Sequence, residues 1–304
     1  MELRQLKYFL KTAETLNFSE AARVLCITQS TLSQQIKQLE DEFNVRLFER
    51  SSHGVTLTES GEELYPYAEN AIHSAETCSQ LIEDLKNLST GSLSIGVTYS
   101  FSPILTETLF QFIRKFPRVK LNIHYSPMEE LMVKLQHHEV DFVLAFKPHG
   151  RRFADIESHT LFKNHLSVIV SDNHPLAQRP IISLKELQNY DLALPAKGMQ
   201  ARNAFEWLIK DSQLEFKANV ELNSVNILFQ LIRQGTMATV LSEAIIYGEI
   251  GLKSIPIDVP GNENTMEACV HVLRNRYIKT SARTFITMLC NTDSVKLRAM
   301  DWIS

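Results

Sequence analysis

Apolar residues in the first 58 positions recur at helical spacing and then switch to alternation. Leu3, Leu6, Leu10 and Ala13 share one face, widened by Phe9, which predicts a helix over about Leu3 to Thr15. Ser19 is placed to cap a second helix from Glu20 to about Cys26, in which Ala21 and Ala22 allow close packing. A third helix opens at Thr28 to Ser30, with Leu32, Ile36, Leu39 and Phe43 on its apolar face. At about 100° per residue the opposite face carries Ser30, Gln34, Lys37 and Asp41, with Ser33 on the flank. Val45 to Phe48 then reads as a strand, Ser51 to Gly54 as a turn, and Val55 to Thr58 as a second strand. Three helices and a hairpin over residues 1–58 make a winged helix-turn-helix.

From Thr58 a helical run continues to about Leu88. Thr58 can cap it, and Glu59, Glu62 and Glu63 suit the positive end of a helix. Leu64, Ala68, Ala71, Ala75, Cys78, Ile82 and Leu85 repeat at 4, 3, 4, 3, 4 and 3, the 3.5-residue period of a coiled-coil seam. Residues 59–89 are thus read as a dimerisation helix; the plain alternative is packing against its own domain. Pro66 predicts a kink or a late start, since proline inside a helix costs roughly 3 kcal/mol. Cys78 is a small apolar spacer on that seam, or the site of a cross-dimer disulfide.

Beyond a polar break at Ser89 to Ser92, strands and helices alternate. Leu93–Val97, Val119–His124 and Val140–Phe146 read as strands, and Ser102–Phe116 and Glu129–His137 as helices. A second set starts near Leu166–Val170. It includes Leu192–Leu194, a helix near Arg202–Lys210, Ala218–Leu222, a helix near Val225–Arg233, and Ala238–Leu241. This alternation predicts a parallel sheet with helices on both faces. Glu267–Leu273 and a helix near Thr280–Leu289 return to the first set, leaving two α/β lobes with a cleft between them. The expected division is residues 92–304, with lobe one about 92–161 and 266–304 and lobe two about 162–265.

Composition excludes little and charge complicates the picture. Apolar residues make up 44% and charged residues 22% of 304, which is ordinary for a soluble globular protein. No run of about 18 apolar residues occurs and the N-terminus lacks an apolar signal core, so a cytosolic protein with no membrane partner is expected. Cys26, Cys78, Cys269 and Cys290 are scattered singly, which argues against a zinc site or a disulfide scaffold. Net charge is −4, and residues 1–60 hold seven Lys/Arg against eight acids. For nucleic acid the face occupied by the cations matters more than their count.

The polar face of the third helix has the chemistry of base readout. Gln34 can pair bidentately with adenine, and Lys37 can meet guanine or a phosphate. Arg50 would follow the backbone along the hairpin. The alternative is an ordinary solvated face. The stretch comprising Phe9, Ala13-Glu14, Asn17-Phe18-Ser19, Ala21-Ala22, Thr28-Gln29-Ser30, Leu32-Ser33, Gln35-Ile36, Leu39-Glu40, Leu47-Phe48-Glu49-Arg50, Leu57-Thr58 and Gly61 resembles the LysR-type transcriptional regulators. The resemblance implies that Gln29, Ser30, Thr31, Ser33, Gln34 and Lys37 face operator DNA, while Arg50 and the wing residues Ser52 and His53 touch its backbone. Position 30 is often proline in the family; serine starts a helix equally well. The resemblance also implies a linker helix that pairs two subunits antiparallel and a periplasmic-binding-protein-like effector domain. There the shared residues are Gly96, Glu130-Leu131, Val140-Asp141, His174-Pro175-Leu176 and Gly235.

Ligands of open α/β sheets lie beyond the carboxyl ends of strands. The loop Tyr99 to Ser102 falls there, at a helix start, where N–H groups and hydroxyls favour a small carboxylate or other anion. Ser102 has the alternative of serving only as a cap. Ser100 matches the family position that contacts effector. Pro127-Met128 stands where relatives have Ser or Thr, which makes the pocket more apolar. Phe101, Phe146, the loop from Lys197 to Arg202 and Asn223-Ser224 complete the expected lining; Arg202 is alternatively a solvated helix residue. Peroxide-sensing relatives carry a cysteine in the loop matching Ala193 to Arg202, and this sequence has none. The expectation is a regulator acting as a homodimer or homotetramer on double-stranded operator DNA, with no cofactor and with RNA polymerase as a further candidate partner. The competing class is a small-molecule-binding protein with an accessory DNA-binding head. No nucleophile elbow, phosphate loop or metal-ligand spacing points to an enzyme.

Overall fold

The computed structural model describes residues 1–304 except 52–53, 87–90, 149–152, 247, 294 and 296–304, and divides into two compact units, Met1–Lys86 and Asn87–Ser304. The hinge expected at Ser89 to Ser92 lies largely outside the described residues.

The first unit contains α1 (Leu3–Thr15), α2 (Phe18–Val24), α3 (Gln29–Phe43), β1 (Phe48–Ser51), β2 (Gly54–Leu57) and α4 (Glu59–Lys86). Leu6, Phe9, Leu10, Leu32, Ile36 and Leu39 form its core, while Leu3 and Phe43, expected on those apolar faces, are exposed at helix ends. The cap of α2 is Asn17 rather than Ser19: its Oδ1 accepts from the N–H groups of Ser19 and Glu20 at 2.9 and 3.1 Å. The first wing strand starts at Phe48, three residues later than expected, because Asn44 adopts a left-handed conformation and Val45 N–H turns back to Glu40 O. α4 starts at Glu59 and runs through Pro66, so the late start does not occur. Its first half belongs to the head: Ala68 and Ile72 are buried in the core of the first unit, with Leu64 and Ala71 packed against it.

The second unit opens with β3 (Gly91–Val97), α5 (Ser102–Lys115), β4 (Val119–Tyr125), α6 (Met128–Gln136), β5 (Phe142–Phe146) and β6 (Ile156–Ser171). There follow β7 (Ile182–Ser183), α7 (Leu184–Leu187), β8 (Leu192–Pro195), α8 (Gln200–Ile209), β9 (Ala218–Leu222) and α9 (Val225–Gln234). It ends with β10 (Thr239–Ser242), β11 (Leu252–Asp258), β12 (Thr265–Leu273) and α10 (Thr280–Cys290). The sheet is mixed rather than parallel. β3 runs parallel to β4 and β5, but β12 is antiparallel to β5 and β6, and β10 and β11 are antiparallel to β6. The long strand β6 is the reason. Its first part, from Ile156, pairs with β12 in lobe one; its last part, to Ser171, pairs with β10 and β11 in lobe two. Where it crosses, Asn264 C=O accepts from Leu166 N–H and its side-chain Nδ2 donates to Leu166 O, and Asn164 Oδ1 accepts from Ser242 Oγ at 2.7 Å.

The shared motifs have packing roles. A Cβ at Gly96 would meet Val143 and Leu131, so β3, β5 and α6 close on that glycine. Asp141 accepts from Ser94 N–H at 2.8 Å and pairs with Lys279 at 2.7 Å. His174 accepts from Leu176 N–H and donates to Thr236 O, tying its turn to the end of α9.

Candidate nucleic-acid interface and inter-lobe cleft

Thr28 caps α3 by accepting from Thr31 N–H at 3.1 Å, and the burial of Leu32, Ile36 and Leu39 turns the opposite face outward. That face and the wing enclose a groove of about 670 Å³ lined by Ser33, Gln34, Lys37, Asp41, Asn44, Arg46 and Arg50, among others. Four of the expected DNA-facing residues, Ser33, Gln34, Lys37 and Arg50, are therefore brought together. Gln29, Ser30 and Thr31 are exposed on the first turn, outside the groove lining. Gln29 Nε2 donates to Ser33 Oγ at 3.0 Å, and the hydroxyls of Ser30 and Thr31 both meet that of Thr28. Ser52 and His53 lie outside the described residues. Arg50 stacks on Phe18, with its guanidinium carbon 3.9 Å from the ring centroid. Asn44 and Arg46 were not expected here. Reading Val45 to Phe48 as a strand hid Arg46, although the alternation with buried Leu47 turns it outward; Asn44 enters the groove as the left-handed cap of α3.

Pairing accounts for part of the acidic charge. Glu2 meets Arg4, Glu14 meets Lys11, Glu20 meets Arg23, Glu76 meets Lys7, and Glu42 meets the terminal amine. The Arg23 guanidinium lowers the Glu20 carboxyl below its ordinary value. Lys37, Arg46 and Arg50 form no ion pair among the described residues. Arg4, Lys7, Lys11 and Arg23, off the groove, are thus paired, while Lys37, Arg46 and Arg50 line it together with the acids Glu40 and Asp41.

One half-buried residue joins helix, wing and linker. Glu40 Oε1 accepts from the N–H groups of Leu47 and Phe48 at 2.8 and 3.2 Å. Leu47 C=O accepts from Thr58 N–H at 3.0 Å, and the Thr58 hydroxyl bridges Arg46 O and the Gly61 N–H at the start of α4. A methyl group at Gly61 would collide with Leu47 O, so only glycine fits this joint.

In the second unit the turn before α5 and the starts of α6, α8 and α9 converge on a small cavity of about 30 Å³. Thr98, Tyr99, Ser100, Ser126, Met128, Met199, Gln200 and Val225 are among its lining residues. Ser100 and Met128 are thus at the cleft. Ser102 and Ser224 line a separate cavity of about 300 Å³ with Tyr99, Asn223 and Glu249. There Ser102 donates to Tyr99 O and Ser224 caps α9. Phe146 faces a third cavity of about 300 Å³, with Lys147, Asn203 and Trp207. Two expected residues are otherwise engaged. Phe101 is buried in the core against Phe146 and Phe162, with ring centroids 5.1 and 6.5 Å away. Arg202 is also buried, bonded to Glu206 at 2.8 Å, Glu221 at 3.0 Å and Pro195 O at 3.3 Å, so its charge is spent within lobe two. Gln200, one residue of the expected loop, proves to be the central polar group of the cleft. Its Oε1 accepts from Phe146 N–H at 3.0 Å and its Nε2 donates to Phe146 O at 2.6 Å.

Residues 3–62 match the family described as bacterial regulatory helix-turn-helix protein, lysR family, and residues 86–292 match the LysR substrate binding domain. A RuBisCO operon transcriptional regulator of Allochromatium vinosum is 28% identical over 94% of this chain and 94% of its own. The fold is shared with full-length OxyR of Pseudomonas aeruginosa at a TM-score of 0.71 and 24% identity, covering 98% and 96% of the two chains. It is also shared with full-length CbnR complexed with its target DNA, at a TM-score of 0.61 and 18% identity, covering 98% and 100%.

Proposed function

Because the chain belongs to the LysR family of bacterial transcriptional regulators, with both its helix-turn-helix and its effector-binding domain, we propose that its groove residues read operator DNA and that a small molecule seated in the inter-lobe cleft governs that binding. The observation that carries the first half is the groove itself. Hydrogen-bonding Ser33 and Gln34 lie beside Lys37, Arg46 and Arg50, which form no ion pair among the described residues, while Glu2, Glu14, Glu20 and Glu76 pair with cations off the groove. Gln34 reads a base edge, Lys37 a base or phosphate, and Arg46 and Arg50 the backbone. Gln29, Ser30 and Thr31 contact DNA from the first turn. Replacing Gln34 with alanine should lower affinity for the operator by about 1–3 kcal/mol and leave non-specific binding nearly unchanged. Equal losses on operator and random duplex would remove Gln34 from base readout.

Two copies act together, as a dimer or a pair of dimers, through the second half of α4, where Leu81 and Ile82 are exposed large hydrophobic residues. Effector binding selects among arrangements of the two heads by binding one of them better. The effector is a small polar molecule, with a carboxylate or other anion favoured by the converging helix starts at Ser100. RNA polymerase is a further partner of such a regulator. Redox sensing is not part of this reading: the loop from Ala193 to Arg202 holds no cysteine, and burial raises the thiol pKa of Cys269. Nor is catalysis, since the relatives are transcriptional regulators. The protein works in the cytoplasm, where operator DNA is; no described helix is long and apolar enough to cross a membrane.

A further inference from the structure

The sheet leaves one open edge inside the cleft. β3 ends at Val97, beside Leu144 of β5, and turns away into α5. Phe146, two residues further along β5, has no strand on that side among the described residues. The carboxamide of Gln200, the first residue of α8 in lobe two, fills the gap and pairs with both main-chain groups of Phe146 in lobe one. Its Nε2 also lies 3.0 Å from Met128 Sδ. Gln200 and Met128 line the 30 Å³ inner cavity and also the 300 Å³ outer one, so together they form the partition between the two. The inner chamber has room for about one water molecule, whereas small-molecule sites occupy hundreds of cubic ångströms. A ligand that reaches Ser100 through the outer chamber has to move this partition.

Moving it leaves Phe146 N–H and C=O without partners in a confined site, which is unfavourable unless the ligand replaces both bonds. A carboxylate supplies acceptors only and would face the Phe146 oxygen with like charge. A carboxamide or urea group supplies the donor and the acceptor side by side. We propose that Gln200 is a built-in occupant of the effector cleft, and that the effector which opens it carries a carboxamide-like donor–acceptor pair that takes its place on Phe146. This rests on the reading that effector binds in the cleft, and it adds the group that the anion-favouring helix starts leave unspecified.

The test uses the full-length chain, Gln200→Ala and Gln200→Met, with propionamide, propionate and isobutanol as probes. Amide hydrogen exchange at Phe146 is the readout. Both variants should exchange at least tenfold faster than wild type. In Gln200→Ala, propionamide at tens of millimolar should restore protection while propionate and isobutanol do not; Gln200→Met, which keeps the bulk, should not respond to propionamide. Unchanged exchange in both variants would overturn the partition. Rescue by propionate equal to that by propionamide, or rescue by neither, would overturn the assignment of ligand class. The underlying effector reading fails separately: if Ser100→Trp, which fills the inner chamber, and Gln200→Ala both leave operator affinity unchanged while exchange at Phe146 still rises, the cleft does not govern DNA binding.

Discussion

Glu40 carries more than its sequence position suggests. In the sequence it is legible only as part of the Leu39-Glu40 motif on the third helix, where a glutamate is usually solvated. Its partners, the amides of Leu47 and Phe48, lie seven and eight residues ahead across the turn at Asn44, and no helical or strand period connects them. Glu40→Ala strands two N–H groups and should cost about 1–3 kcal/mol, read as a lower urea midpoint of the first unit; Glu40→Gln keeps an acceptor and should recover most of it. A second residue sets a pH limit on the second unit. His271 is buried, with Nε2 donating to Ala145 O and Nδ1 accepting from Ser158, and burial pushes its pKa down to about 4 from 6.5. Between those two values the unfolded chain holds a proton that the folded chain refuses. Stability is therefore intact above pH 6.5 and declines as pH falls toward 4, by about 3 kcal/mol in all. Urea titrations across this window should show the decline, and His271→Gln should flatten it.

At the scale of elements, periodicity located the helices well but not their partners. The repeat from Leu64 to Leu85 was legible as one seam, yet it serves two surfaces in succession. Ala68 and Ile72 face the head's own core, Ala71 packs beside them, and Cys78 and Ile82 are exposed; Leu85's side chain lies outside the described residues. Substitution at Ala71 thus confounds folding with association. Ile82→Lys is the cleaner variant: it should shift the mass by light scattering toward a monomer and leave thermal unfolding of the head unchanged, and an unaltered mass would remove the distal half of α4 from the interface. The sheet was read as parallel because β–α alternation dominates lobe one. The first half of β6 escapes that reading, since Ile156 to His165 is largely polar and Glu157 to Thr160 are all exposed, and β11 escapes it because Pro256 interrupts it. Both strands owe their place to long-range pairing, which local pattern does not encode.

For the whole molecule, the motif run from Phe9 to Gly61 made the head, and hence the class of protein, readable without coordinates. The cleft was readable in outline only: Ser100 stood out by position, whereas Gln200 matters through a partner 54 residues away. If two heads each place Lys37, Arg46 and Arg50 on phosphates, log affinity should fall with log salt at a slope of about −5, and Arg46→Ala should reduce that slope by about 2. A slope unchanged by Arg46→Ala would take that residue off the backbone. The reach of the head's core into α4 bears on how such proteins recombine. A crossover after Gly61, where the motif ends, would separate Ala68 and Ile72 from the core they pack into. A functional chimera must instead inherit the head together with its own α4 at least through Ile72, so the unit that shuffles among regulators is longer than the motif that identifies it.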